Sequence, residues 1–340
     1  MNNSEFRVSV ITPVYNAEKY LRKAVESAVN LDEVEEVILI EDNSPDNSLS
    51  ICWELEKEYG KIKLFRHPDQ GNHGAGASRN LGIEMASCEF IAFLDADDYY
   101  LPHRFKKDKE IFLTHPEVNG VYHATGIHYY SEKARDMFIV AGYQYQELTT
   151  LTGNVPSEEL FSVQFSQHPL VKGEFCTDAI TLRKRVFEQV GFFNPRLRLQ
   201  QDTHMWKRLS AFCCLLPGEI TEPVAIRGVH EHNRMTRNAD HALYMDEWWR
   251  SLKNEFKTKK LEQRKYRIFE NAYFNYHIQK KGSKLKSVWY LFLYWLKYPG
   301  IIAGNFGFFD LNFLDVFGRN SVTLHLISFK NRYLFKSHNK

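Results

Sequence analysis

Apolar residues come in short blocks divided by polar turns over the first 125 positions. Val8-Ser9-Val10-Ile11, Val37-Ile38-Leu39-Ile40, Ile62-Lys63-Leu64-Phe65 and Phe90-Ile91-Ala92-Phe93-Leu94 read as strands, with Val118 to Tyr122 as a fifth. Between them the apolar positions recur at helical spacing: Ala17, Leu21, Ala24, Val25 and Ala28; Leu49, Ile51, Leu55 and Tyr59; Leu81, Ile83 and Met85. A strand turns successive side chains to two faces, whereas a helix returns to one face every three or four residues. Ser44 or Asp46 is expected to cap the second helix. The alternation predicts an α/β fold with right-handed crossovers and a mainly parallel central sheet covered on both faces. From about 125 to 175 the chain is rich in Tyr, Gln and Thr and reads as an irregular, variable loop region. Ala179 to Leu182 reads as a further strand, Lys184 to Val190 and Asp202 to Phe212 as helices, and Val224-Ala225-Ile226 as a last strand.

Ligands of such sheets bind beyond the carboxyl ends of the strands. Three polar clusters stand there: Thr12-Pro13-Val14-Tyr15-Asn16, Glu41-Asp42-Asn43-Ser44 and Asp95-Ala96-Asp97-Asp98. Three carboxylates in four residues repel one another unless a cation or donor lies among them. Hard oxygen ligands suit Mg²⁺ or Mn²⁺, and the position directly after an apolar strand favours a site over a solvated acidic turn. Glu41 and Asp42 would accept hydrogen bonds from a base or ribose, or would simply shape an Asp-Asn-Ser-Pro turn. The stretch from Gly71 to Asn80 lacks Gly-Lys-Ser/Thr and GxGxxG spacing, so it is no phosphate loop. Its Gly74 and Gly76 permit a tight helix start. Arg79, one turn in, would reach a diphosphate or form a surface ion pair. Tyr15 is placed either to stack on a flat ring or to pack. Gln201-Asp202 opens an amphipathic helix with Met205, Trp206 and Leu209, where Asp202 would be an N-cap or, facing a cleft, a general base. Arg227, His230, His232 and Asn233 form a polar cluster after the last strand.

Together these motifs resemble the inverting family 2 glycosyltransferases of GT-A fold. The likeness runs over about residues 6 to 236, in the order Val8 to Asn16, Leu39 to Ser44, Gly76 to Asn80, Asp95 to Asp98 and Ala179 to Leu209, including Gly191-Phe192-Phe193-Asn194. It implies a catalytic domain over 1–238, with a nucleotide-sugar half at about 6–124 and an acceptor half at about 125–238. On the matched positions Thr12, Pro13, Tyr15, Glu41 and Asp42 would line the nucleoside, with Tyr15 against the base. Arg79 would face the diphosphate, and Asp95 and Ala96 the ribose side. Asp97 would ligate Mn²⁺ or Mg²⁺, with His230 and Asn233 closing over metal and diphosphate. Asp98, Gln201 and Trp206 would support the site, and Asp202 would be the catalytic base. The implied reaction transfers a sugar from a nucleotide-diphosphate donor, UDP by family habit, to a hydroxyl of a glycan or lipid-linked acceptor in cell-surface polysaccharide synthesis. Two departures stand out: Glu41 where Asp is commoner, and Gln201 where Glu is common. The second removes a neighbouring charge and should leave the base less basic.

Composition sharpens the two ends of the chain. Hydrophobic residues make up 44% and charged residues 25% of 340, which excludes a disordered or collagen-like chain. Five scattered cysteines with no CxxC pair indicate neither zinc cage nor disulfide framework. With no basic-then-apolar start, they suit a cytoplasmic protein. The net charge of +2 gives no sign of a nucleic-acid partner, yet it hides a division. Lys and Arg outnumber Asp and Glu by 18 to 7 from His241 to Lys340, and are outnumbered 26 to 35 before it. The region 239–340 is therefore a basic, aromatic-rich helical appendage. Lys284 to Pro299, with Trp289, Tyr290, Tyr294, Trp295 and Tyr298, has the composition of a segment lying on an anionic membrane surface. The alternatives are packing on the catalytic domain or on a second copy in a homo-oligomer.

Two other functions share the architecture. A sugar-phosphate nucleotidyltransferase wants a glycine-rich loop with Arg and Lys after the first strand, where Thr12 to Asn16 stands. A catalytically silent carbohydrate-binding or scaffold protein has no need of Asp97 and Asp202.

Overall fold

The computed structural model describes residues 6–141, 147–233 and 241–280. The chain divides into two compact units, Met1–Phe269 and Glu270–Lys340. The first opens with β1 (Val8–Val14), α1 (Leu21–Val29), β2 (Val34–Glu41), α2 (Ser48–Glu58), β3 (Ile62–Arg66), α3 (Ala75–Met85) and β4 (Phe90–Phe93). Then come β5 (Tyr99–Tyr100), α4 (Lys106–Thr114), β6 (Gly120–Tyr122), β7 (Ala124–Tyr129), α5 (Glu132–Val140) and α6 (Leu160–Gln164). It continues through β8 (Ile180–Arg183), α7 (Val186–Val190), α8 (Gln201–Phe212), β9 (Leu215–Pro217), β10 (Pro223–Val229) and α9 (His241–Thr258). Helix α10 (Gln263–Lys280) runs across the boundary between the units.

The central sheet has seven strands in the order β3-β2-β1-β4-β8-β6-β9. β8 alone runs against the others, being antiparallel to both β4 and β6. A second sheet, β5-β10-β7, pairs β10 parallel with β7 and antiparallel with β5. The expected α/β architecture with a mainly parallel sheet is thus present. Its strands are apolar on both sides. Val8, Val10, Val37, Leu39, Phe90 and Ala92 enter one core, while Ile11, Ile38, Ile40, Ile91 and Phe93 enter the other. α3 lies so close on β1 that a Cβ on Gly82 would come within 2.3 Å of Ile11 Cγ2. At the amino end of the sheet, buried Glu36 accepts from Ser9 Oγ at 2.6 Å, Ser87 N at 2.6 Å and Lys63 Nζ at 2.6 Å.

Several expectations are corrected. The stretch from 125 to 175 is not wholly irregular, because β7 pairs with β10 and α5 starts on a Ser131 cap that accepts from Ala134 N. Neither Ser44 nor Asp46 is the residue before α2, which is Asn47. Asp46 still serves that helix end, accepting from Ser48 N at 3.1 Å and Ser48 Oγ at 2.6 Å. Residues 241–269, grouped by composition with the basic tail, pack within the first unit: Trp248, Trp249, Leu252 and Phe256 of α9 are buried. Among the described residues no helix is long and apolar enough to cross a membrane. The aromatic segment 284–299 lies outside the described residues.

Candidate active site

β1, β2 and β4 end at one edge of the sheet, and reversed β8 begins there. Its register pairs Phe90 with Arg183, Ile91 with Leu182 and Ala92 with Thr181. Continued three residues, the same register sets Asp95 opposite Asp178. Asp95 N–H donates to Asp178 Oδ1 at 2.8 Å. Carboxylate oxygens of Asp95, Asp98 and Asp178 all lie within 4.8 Å of one another. Asp98 is buried and accepts from Gly228 N at 2.8 Å. Burial, with Asp178 and Asp97 beside it, pushes the Asp98 carboxyl well above the usual carboxylate range. Burial and Asp95 push Asp178 up as well. Two components hold this corner from behind. Arg227 donates to Cys176 Sγ at 3.1 Å, and buried Arg104 donates from Nε to the Asp178 carbonyl at 2.9 Å.

Arg79, on α3, is buried and pairs with Asp95 Oδ1 at 2.5 Å. Burial alone would lower its pKa, but Asp95, Asp202 and Asp178 together raise it. One guanidinium therefore lies in the field of both the strand-end acid and the acid that opens α8. Asp202 is not an N-cap: the preceding Gln200 has φ +57, and Asp202 sits in the first turn with Oδ1 accepting from Thr203 N at 2.8 Å. Gln201 is buried against Gly76, whose Cβ would meet Gln201 Cγ at 3.3 Å. Its amide lies against the Leu197 and Arg198 carbonyls and, with its nitrogen facing them, donates to both, at 3.0 and 3.1 Å. Trp206 is in the core against Phe175, with ring centroids 6.1 Å apart, and fixes the helix rather than facing the cleft.

Asp97 turns the other way. Its Oδ2 lies 3.1 Å from His230 Nε2 and accepts from Asn233 Nδ2 at 2.8 Å. Asn233 also donates to the Gly228 carbonyl, at 3.2 Å. His230 stacks on Tyr20, with centroids 4.5 Å apart and 19° between planes. Burial and nearby Asp97 raise the Tyr20 hydroxyl pKa. The Asp97–His230 separation is that of a hydrogen bond. The carboxylate oxygens close enough together to share one divalent ion are those of Asp95, Asp98 and Asp178, and hard oxygen ligands suit Mg²⁺ or Mn²⁺.

On the nucleoside side the geometry divides the expected residues. Tyr15 is 53% exposed, a ring face open to solvent, while Thr12 is buried with no hydrogen-bond partner for Oγ1. Pro13 is half-buried and Ala96 buried. Glu41 is turned inward, accepting from Ser44 N at 2.5 Å and Arg66 Nε at 2.8 Å. Asp42 is also buried: Oδ1 accepts from His73 N and Oδ2 from Gly74 N, both at 2.7 Å. Both acids hold loops in place. The structure thus gathers Arg79, Asp95, Asp97, Asp98, Asp202, His230 and Asn233 about one edge. It adds Asp178 and Tyr20, which sequence reasoning missed, and sets Arg227, read before only as part of the polar cluster after the last strand, behind the acids. Asp178 had one signal, an acid just before a strand, but its meaning depends on that strand being reversed.

A family model described as glycosyl transferase family 2 matches residues 9–189, more than half of the chain. An uncharacterized glycosyltransferase of Haemophilus influenzae is 38% identical over 107 residues, 31% of this chain and 42% of that protein. A second, from Rickettsia felis, is 26% identical over 255 residues, 73% of this chain and 38% of the relative. The minor teichoic acid biosynthesis protein GgaB of Bacillus subtilis is 36% identical over 120 residues, 34% of this chain and 13% of that protein. The chain spans less than half the length of these curated relatives. Among solved structures, S. aureus TarS 1-349 in complex with UDP-GlcNAc superposes with a TM-score of 0.58 at 20% identity, covering 79% of this chain and 73% of that one. At that identity the likeness is one of fold, the GT-A type. The matched residues carry the strand-end acids, Arg79 and Asp178 in one continuous stretch, and the chain belongs to glycosyl transferase family 2.

Proposed function

We propose that the chain is an inverting glycosyltransferase using a UDP-sugar donor and a hydroxyl of a glycan or lipid-linked acceptor, in cell-surface polysaccharide synthesis. The observation that carries this reading is the buried Arg79–Asp95 ion pair at the strand-end motif, with Asp202 near enough to add to the field on the same guanidinium. It puts a buried cation on the acid of the strand-end motif, within the electrostatic reach of the acid that opens α8. The fold shared with TarS in complex with UDP-GlcNAc supports a UDP-sugar, and the likeness to GgaB supports a surface polymer.

In this reading the donor half is 6–124 and the acceptor half 125–238, with α9 completing the same unit. The exposed Tyr15 ring stacks on the base, and Arg79 faces the diphosphate. Asp97 and His230 would hold Mg²⁺ or Mn²⁺, whose charge, when bound, offsets the negative charge that develops on the departing diphosphate. Asp202 accepts the proton of the acceptor hydroxyl as its oxygen bonds to the anomeric carbon. The diphosphate leaves from the opposite face with the bonding pair, so one displacement inverts the anomeric centre. Asp98 and Asp178 fix the strand-end loop without entering the reaction. The test is stereochemical: proton NMR of the product from an α-linked UDP-sugar should show a β-linkage, and an α-linkage would overturn the single displacement.

A further inference from the structure

A chain of contacts joins the nucleoside side of the cleft to the segment just before Asp202. Asp42 grips residues 72–74 at three points: its carboxylate accepts from His73 N and Gly74 N, each at 2.7 Å, and its carbonyl accepts from Asn72 Nδ2 at 2.9 Å. Asn72 in turn accepts twice from Arg198, through Oδ1 to Nη1 at 2.9 Å and through its carbonyl to Nη2 at 3.0 Å. Both partners of this exposed guanidinium are oxygens of one neutral residue. The fork geometry is specific to arginine, because a lysine offers a point charge rather than two fixed donors. Arg198 lies flat on Gly74, where a Cβ would come within 2.9 Å of Nη1 and 3.1 Å of Cδ. Gly74 also has φ +84, a conformation that favours glycine. On the other side, the Gln201 side-chain amide lies against the Arg198 carbonyl and, with its nitrogen facing it, donates there at 3.1 Å, and left-handed Gln200 lies between them at φ +57. Asp202 follows directly.

We propose that Arg198 is a positioning residue that couples nucleotide occupancy to the placement of Asp202. Resting on the UDP-sugar reading above, the coupling runs from the loop held by Asp42, through Asn72 and Arg198, to the strained Gln200–Gln201 turn. An occupied nucleoside site fixes residues 72–74, and that loop then holds the base segment through two hydrogen bonds. Gln201 fits this role better than a glutamate would, because an amide donates to two carbonyls that a carboxylate would repel.

Hydrogen exchange of the full chain, with and without UDP and Mn²⁺, tests the coupling without an acceptor. Each protein is saturated with UDP, as verified by calorimetry. In the wild type, UDP should slow exchange at amides 199–203 by about fivefold or more, the usual size of coupling between sites. Arg198→Ala and Asn72→Ala should each abolish that slowing while UDP is bound, with the double variant losing nothing further. Arg198→Lys should not restore it. Arg196→Ala, two residues away, should behave as wild type. Slowing in Arg198→Ala and Asn72→Ala equal to that in wild type would overturn the coupling alone. A wild type that binds no UDP would overturn the donor reading, and the coupling with it.

Discussion

In the proposed mechanism, Asp97 and Asp202 act on either side of the reacting centre. Asp202→Asn keeps size and removes the proton acceptor, so transfer should fall by about 10²–10⁴-fold while calorimetric donor affinity holds. Unchanged turnover would rule Asp202 out as the base. Asp97→Asn leaves Asn233 and His230 in reach but removes a charged ligand. Calorimetry should show UDP binding weakened in Mn²⁺ and unchanged in EDTA; equal binding in both would show that Asp97 holds no metal. The places of Asp97 and Asp202 in the fold were legible because each stands where local pattern marks a boundary, one after an apolar strand and one at a helix start. Asp178 was not legible. Its neighbours in the cluster lie 80 and more positions away, and only the reversed register of β8 brings it opposite Asp95.

Among elements, the parallel strands and their crossover helices could be read because each carries its own period. The pairing of β7 with β10 could not, since it joins residues about a hundred apart through backbone bonds that leave no mark on composition. Close packing is likewise visible only in three dimensions. Gly82→Ala would press a methyl into Ile11, and overpacking of this kind should cost about 1–3 kcal/mol in chemical denaturation. The α8–α9 contact carries a pH signature. His204 is buried against Trp248, its Nε2 lies 2.9 Å from Ser251 Oγ, and burial with Arg208 nearby lowers its pKa from 6.5 to about 3. It is therefore neutral when folded, whereas the unfolded chain takes up a proton once the pH falls below about 6.5. The unfolded state is favoured progressively as pH drops from about 6.5 towards 3. Between pH 6.5 and 4.5, wild type should lose about 2–3 kcal/mol more stability than His204→Gln. Parallel pH profiles of thermal unfolding would contradict this.

At the scale of the whole molecule, the charge division between a basic tail and an acidic remainder takes on a structural meaning in its first part. Lys259 donates to the Gln189 carbonyl at 2.7 Å, at the end of α7, and Lys265 to the Ala211 carbonyl at 2.8 Å, at the end of α8. Cations at helix carboxyl ends are favourable, so these lysines brace the catalytic unit rather than face a surface. Glu255 of α9 also pairs with buried Arg208 at 2.7 Å. Removing residues 241–340 should strand that cation and abolish cooperative unfolding, whereas removing 281–340 should leave it intact. Flotation on anionic liposomes then isolates the remaining segment: full chain and 1–280 floating equally would remove the membrane assignment. The central claim is that the cleft binds a nucleotide sugar with a divalent ion. The most direct measurement is a thermal-shift panel of UDP-, GDP- and dTDP-sugars with Mn²⁺. One UDP-sugar, at about a hundred times its Kd, should raise Tm by roughly 5 °C and the other bases should not. No shift with any nucleotide sugar in the presence of Mn²⁺ would contradict the account.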